Sequence, residues 1–461
     1  MKKLGYFLLG MALLSLMVGC NSNQAGKKGN DKIVIWTQAA ADHPEGKMFA
    51  SRVERYNEDN SDKPKVEIQN ITRAGAGSGY IDKLNAAITA NDIPDIFTLD
   101  GPDIAAYVDA GVIGELDGYM SDGFKEGFTE SIIQQGTVDE KLYAFGYSDS
   151  AVAIMYNEEM INALPDNVKA LIPSMDKDWT WDQFVELARA IDNFAKTTSD
   201  PAFSNYELAV STLLSDVASG VYETGTYYFT PLMWGNDTNI VSDDGLTVDG
   251  VLNNEKNVEA LTKFSKLFEG DPLGSASEPE KAFHTGKAAL AVAGFWYVNE
   301  LKDNYPDLKF KTVRYPKMNE DYNGLYTPSG SWAFVRNGNI EDEEKINQVV
   351  EVMEWLTNDE AAEEYYHAQG SIPSRVNSID VIDTNTDNPY YNEAWKVMQY
   401  QVENTNKARP VSSGYPYLSE TYAKDILLKI AQNKTTDSKT IKKYLDDAVK
   451  KLDLEFEKYK H

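Results

Sequence analysis

From Ile33 to Gly111 the chain alternates short β-branched runs with segments of helical period, and this alternation restricts the fold more than any other feature. Ile33-Val34-Ile35-Trp36 reads as a buried strand. Phe49, Val53 and Tyr56 recur at helical spacing, and Val66 and Ile68 alternate as a second strand. Ile81, Leu84 and Ile88 mark a second helix, Pro94 stops it, and Asp95 to Leu99 forms a third strand. Ile104 and Val108 then share a face until Gly111 ends that helix. Strands that alternate with helices predict an α/β fold with a mostly parallel sheet covered by helices.

Beyond about Ser150 the balance shifts towards helices. Thr180-Trp181-Asp182-Gln183 has the form of a capping box, with Phe184, Leu187 and Ile191 on one face behind it. Val258, Leu261, Phe264 and Phe268 make another amphipathic helix, and Ala288 to Ala293 a short apolar strand. Val313 to Tyr315 and Trp332 to Val335 read as strands. Helical patterns follow, from Ile346 and Val349 to Leu452 and Phe456. A chain of 461 residues exceeds one simple core and predicts two lobes.

The N-terminus carries a different signal. Lys2 and Lys3 precede an apolar run from Leu4 to Val18, and Gly19 stands before Cys20, the sole cysteine. A basic start, a short apolar core and a small residue form a secretory signal, with a core too short for a good membrane span. Met17-Val18-Gly19-Cys20 resembles the bacterial lipoprotein signal, which implies a cut before Cys20 and acylation of its thiol. Several acyl chains hold a protein firmly where a single one would not. Residues 1–19 are thus expected to be a signal peptide, and residues 20–30, rich in Asn, Gly and Lys, a flexible tether. A net charge of −28 argues against nucleic acid and against adsorption to anionic lipid heads. A single cysteine and four scattered histidines allow neither an internal disulfide nor a His/Cys zinc site, and no metal or cofactor is expected.

Several ordered stretches resemble the extracellular solute-binding proteins of carbohydrate ABC importers, the group that includes maltose-binding proteins. They are Ile93 to Phe97, Lys141 to Phe145 running on to Met155-Tyr156-Asn157, Ala282-Phe283 through Gly286 to Leu290 and on to Gly294-Phe295-Trp296, and Trp355 to Thr357 followed by Gly370 to Ser374. Gly146 stands where that family usually has Pro. The resemblance implies two α/β lobes joined by a hinge, with a cleft between them. Mapped here, residues 31–148 with 312–337 would form one lobe, and residues 149–311 with 338–461 the other. It further implies a monomeric binding protein, tethered to the outer face of the cytoplasmic membrane. That protein captures a carbohydrate, an oligosaccharide, and delivers it to ABC permease subunits without breaking a bond. Tethering by lipid favours a Gram-positive-type envelope.

A sugar presents apolar faces to aromatic rings and hydroxyl rims to polar side chains. Open parallel sheets bind at the carboxyl ends of their strands. The candidates are Trp36 and Thr37 after the first strand, Asp100 after the third, Tyr147 and Asp149 at the crossover, and Trp234 in a loop. To these add Gly294 and Trp296 after the apolar strand, Ser331 and Trp332 after a turn, and Arg409 before Pro410. Each has a structural alternative: Trp36, Trp234, Trp296 and Trp332 as packing, Asp100 as a helix cap, Arg409 as an ion-pair partner. Trp179, Trp181, Trp355 and Trp395 lie in helical patterns and belong to the core or a helix surface.

Gly75 to Gly79 lacks the ending of a phosphate loop, and Asp383 to Asp387 lacks the Gly and closing Glu of a calcium loop, so both read as turns. Two other classes stay open: a secreted glycoside hydrolase, which needs a pair of carboxyl groups across the scissile bond, and a surface adhesion lipoprotein.

Overall fold

The computed structural model describes residues 32–73, 79–330, 332–381 and 388–460. The expected signal and tether with Cys20, most of the Gly75–Gly79 turn, Ser331 and the Asp383–Asp387 stretch lie outside the described residues.

Strand Lys32–Thr37 turns Ile33 and Ile35 into a core, and its register is set by that alternation. It pairs in parallel with Lys65–Asn70 on one side and Ile96–Asp100 on the other. Strand Trp332–Asn337 then runs antiparallel to Ile96–Asp100, with Trp332 opposite Asp100, and also pairs with Ile113–Gly114 and Ala144–Gly146. The six-stranded sheet is therefore mixed, not mostly parallel as expected. A strand made by a crossover helix runs parallel to its neighbour; Trp332–Asn337 instead arrives from the other lobe and enters in the opposite sense. Gly146, at the Pro position of the resembled family, pairs with Ala333.

The second sheet has the order Phe310–Arg314, Val152–Asn157, Ala288–Gly294, Leu208–Ser211. Ala288–Gly294 is buried at every residue. Both its faces are covered, so it reads as an unbroken apolar run with no alternation. Helix Trp181–Ala195 begins at the expected capping box. The Gln183 amide donates to the Thr180 hydroxyl at 3.3 Å, and the Thr180 amide donates to the Gln183 side chain at 2.8 Å. Helix Tyr80–Thr89 buries Tyr80, Leu84 and Ala87, which leaves Ile81 exposed against expectation. Tyr80 wins the inward position because its hydroxyl bonds both the amide and the carbonyl of Thr98.

The lobe limits differ from those expected at 312 and 338. Thr312 to Arg314 pair with Val152–Asn157 in the second sheet. Helices Glu343–Thr357 and Asp359–Gln369 pack on the first sheet, where Ile346, Val349, Met353, Leu356 and Tyr365 share a core with Ile33, Ile35 and Phe49. Arg52, fully buried, fixes that placement. Its guanidinium donates to the Trp355 carbonyl and to the Asn358 side chain.

The lobes are joined by crossing segments that bond to one another. Asp149 bridges Ile372, and Thr327–Pro328 pairs with Asn406–Lys407. At their centre the fully buried Asp149 carboxylate accepts hydrogen bonds from Ser131 and Ser329 at 2.7 Å each, from the Ser150 amide at 2.7 Å and from Asn406 at 3.3 Å. This is the hinge.

Candidate functional site

Between the lobes lies a cleft of about 810 Å³. Its first-lobe wall starts in the loop behind strand Lys32–Thr37. Pro44 occupies the first turn of helix Pro44–Asp59, where its missing N–H is harmless, and Glu45 follows it into the cleft. One Glu45 oxygen accepts from Tyr147 Oη at 2.9 Å and from Gln38 Nε2 at 3.1 Å; the other accepts from Gln369 Nε2 at 3.4 Å. Burial pushes this carboxyl up to about 7, against the pull of those hydrogen bonds and of the Arg73 charge. Tyr365 lies beside Tyr147 with ring centres 5.1 Å apart. Trp332 closes this wall, with the Arg73 guanidinium 4.8 Å above its ring.

The second-lobe wall is aromatic. Helix Tyr222–Phe229 supplies Glu223, Tyr227 and Tyr228, and helix Trp296–Asn304 supplies Trp296, Tyr297 and Glu300. The chain turns sharply from strand to helix at this point, so Phe295 enters the core while Trp296, 39% exposed, faces the cleft. Tyr227 and Tyr228 flank the Trp296 ring at 5.7 and 6.2 Å between centres. Gly294 is the seat of that ring: a Cβ there would lie 2.2 Å from the Trp296 indole. The His284 and Lys281 side chains beside Glu300 hold its carboxyl down at about 2.

Arg409 joins the two walls. It is 4% exposed, and its Nη2 meets Asp100 Oδ1 at 2.5 Å while its Nη1 meets Glu223 Oε1 at 2.8 Å. Tyr415 and Ser419 also donate to Glu223. Asp100 makes no side-chain cap bond to the turn that follows it, so its expected alternative as a helix cap is not realised, whereas the ion pair expected as the alternative for Arg409 is.

Five of the expected site residues therefore meet in one cleft: Asp100, Tyr147, Trp296, Trp332 and Arg409. Ser331 lies outside the described residues, and the other five are placed elsewhere. Trp234 is 1% exposed in the second-lobe core and its indole N–H donates to Asn239, which leaves no face for a ligand. Thr37 is buried and donates to Asn70. Trp36 packs under the Lys83 ammonium, away from the cleft lining. Asp149 belongs to the hinge, and Gly294 supports Trp296 from behind. Sequence reasoning missed Gln38, Glu45, Arg73, Glu223, Tyr227, Tyr228, Tyr297 and Tyr365. The run Tyr227-Tyr228-Phe229 was a visible signal. Glu45 could have been found by following the first strand past its end to the next helix start. Among the described residues no cluster of His, Cys, Asp or Glu could hold a metal ion.

Two lobes, a hinge of crossing segments and an aromatic cleft with polar rims define a ligand-capture protein. Residues 51–399 match the bacterial extracellular solute-binding protein family, and the chain belongs to it. It is 22% identical over 383 residues to the galactooligosaccharide-binding protein of Bacillus subtilis, a match covering 81% of this chain and 80% of that one. To a binding protein of Brucella abortus it is 23% identical over 266 residues, or 57% of this chain, and the match spans 59% of that relative's length. The solved structure of a cyclic alpha-maltosyl-1,6-maltose binding protein from Arthrobacter globiformis superposes with a TM-score of 0.71 at 19% identity, covering 92% of this chain and 98% of that one. The fold is shared.

The cleft carboxyl Glu45 has a measurable consequence. Asp103 and Glu278 are likewise pushed up to about 7, chiefly by burial. Each holds its proton more tightly in the folded chain than in the unfolded one. Their stabilising contribution is therefore present in full below the ordinary carboxyl range and lost as pH rises towards about 7. For Glu45 the loss is about 3 kcal/mol. Melting temperature should fall between about pH 5 and about pH 7.5, and Glu45→Gln should shrink that fall. An unchanged pH profile in the variant contradicts the assignment.

Proposed function

We propose that this protein captures a carbohydrate, an oligosaccharide, outside the cell and delivers it to the permease of an ABC importer. It acts as a monomer tethered by a lipid on Cys20 to the outer face of the cytoplasmic membrane, and it performs no chemistry on its ligand. The observation that carries the reading is the partly exposed Trp296, held among tyrosines in a cleft whose other wall offers Trp332 and a polar rim. Aromatic faces meet the C–H faces of sugars, and carboxylates and amides meet their hydroxyls. A cleft of about 810 Å³ suits a ligand of more than one ring. Several relatives are named for the sugars they bind, among them the galactooligosaccharide-binding protein and a maltotriose-binding protein, and they support the same reading.

The glycoside hydrolase alternative needs two carboxyl groups at liberty to hold a proton and to attack. Asp100 and Glu223 are both engaged by Arg409, and Glu45 is held by Tyr147 and Gln38, an arrangement that favours holding a ligand over cleaving it. No helix among the described residues is long and apolar enough to cross a membrane, and the proposed anchor is the lipid.

Trp296→Ala should weaken oligosaccharide binding by about 1–3 kcal/mol, roughly 5- to 150-fold in Kd, with little change in melting temperature. Calorimetry on this one variant checks it. Normal affinity with a collapsed melting temperature would make Trp296 a packing residue. For the anchor, Cys20→Ala should release the protein from the membrane fraction or leave it unprocessed. Normal processing with undiminished membrane retention contradicts lipidation at that thiol.

A further inference from the structure

Leu213 holds a backbone conformation that its side chain disfavours. Among the described residues seven other than glycine have positive φ. Six of them are Asn, Asp, Glu or Lys, and Leu213, at φ +58° and ψ +17°, is the one with an apolar side chain. In this left-handed region the Cβ crowds the following carbonyl oxygen. Asn and Asp offset that cost with local hydrogen bonds from their side chains, and leucine has none to make.

Glu278 enforces the conformation. Its side chain is buried, and both carboxyl oxygens accept: one from the Leu213 amide at 2.5 Å and the Ser211 hydroxyl at 3.4 Å, the other from the Thr212 amide at 3.0 Å. Two successive amides that converge on one anionic group fix the backbone angles between them. Gly274 adds to the constraint, because a Cβ there would lie 2.8 Å from the Thr212 methyl carbon. The junction between strand Leu208–Ser211 and helix Leu214–Ala218 is thereby locked.

A turn of this shape alone is served by glycine or asparagine. Leu213 is different in its location. It is half-buried, packs on the second-lobe core and lines the cleft, and none of the other six residues of positive φ lines it. Backbone strain persists where the surroundings enforce it, and it gathers at ligand clamps. An isobutyl group in this place offers apolar surface to the C–H face of a saccharide.

We propose that Leu213 is a ligand contact of the cleft, and that Glu278 is a positioning residue that holds it there. This rests on the capture reading above and adds a specificity contact to it.

The test is a double-mutant cycle on the full chain, by calorimetry with maltotriose, β-1,4-galactotriose, cellotriose and xylotriose, and with a melting curve for each variant. Leu213→Gly removes the side chain and suits the left-handed turn, so it should fold and should bind the preferred trisaccharide about 10-fold more weakly. Glu278→Gln turns one acceptor into a donor facing an amide and should cost about the same in affinity while Leu213 is present. In the Leu213→Gly background it should cost nothing further, so the double variant is also about 10-fold weaker and not about 100-fold. Wild-type affinity in Leu213→Gly removes Leu213 from the ligand. Losses that multiply in the double variant, or wild-type affinity in Glu278→Gln, overturn the positioning role. Should Glu278→Gln fail to fold, Leu213→Asn carries the test: it keeps the turn without the apolar group, and undiminished affinity there overturns the proposal. A wild-type chain that binds none of the four sugars contradicts the capture reading itself.

Discussion

The geometry of the molecule depends on one carboxylate placed where no water reaches it. Asp149 sits where the chain crosses between lobes, and each of its oxygens is held by neutral donors: Ser131 and Thr129 on one, Ser329, Ser150 and Asn406 on the other. Burial raises its proton affinity, while those hydrogen bonds favour the ionised form and offset part of the cost. Because the donors come from a first-lobe helix and from separate crossing segments, the same carboxylate fixes where the crossings lie relative to one another. A hinge needs such a fixed point, around which small changes of backbone angle can move two otherwise rigid bodies.

The cleft depends on that point and on a second set of charges. Arg409 reaches from a crossing segment to Asp100, at the end of a first-lobe strand, and to Glu223, on a second-lobe helix. Two acids and one arginine, all largely removed from water, hold the walls at a defined separation. Their mutual pairing matters for function because it occupies charges that would otherwise dominate ligand contact. What remains towards the ligand is the opposed pair Trp332 and Trp296, the surrounding tyrosines and a rim of amides and carboxylates.

Much of this was legible in residue order, and the particular failures are instructive. Strand and helix order along the first lobe follows from periodicity, and the Thr180 capping box follows from spacing alone, because both are local. Trp296 was legible as a ring that follows a strand and a glycine, although the glycine proves to seat the indole itself. Asp100 and Arg409 were each legible as candidates, but their mutual ion pair, across 309 positions of sequence, was not. The lobe limits failed for the same reason. Nothing near Glu343–Thr357 announces that the distant Arg52 will claim its carbonyl end. Trp234 failed because a loop-like sequence, Gly235-Asn236-Asp237, surrounds an indole that tertiary packing buries.

If ligand contacts on both walls pull the cleft shut, the ligand must bind the closed form better than the open one, because only that difference can shift the balance. Small-angle scattering from the full chain, with and without saturating oligosaccharide, tests this most directly. A smaller radius of gyration is expected with ligand bound. Superimposable scattering profiles at proven saturation would contradict it.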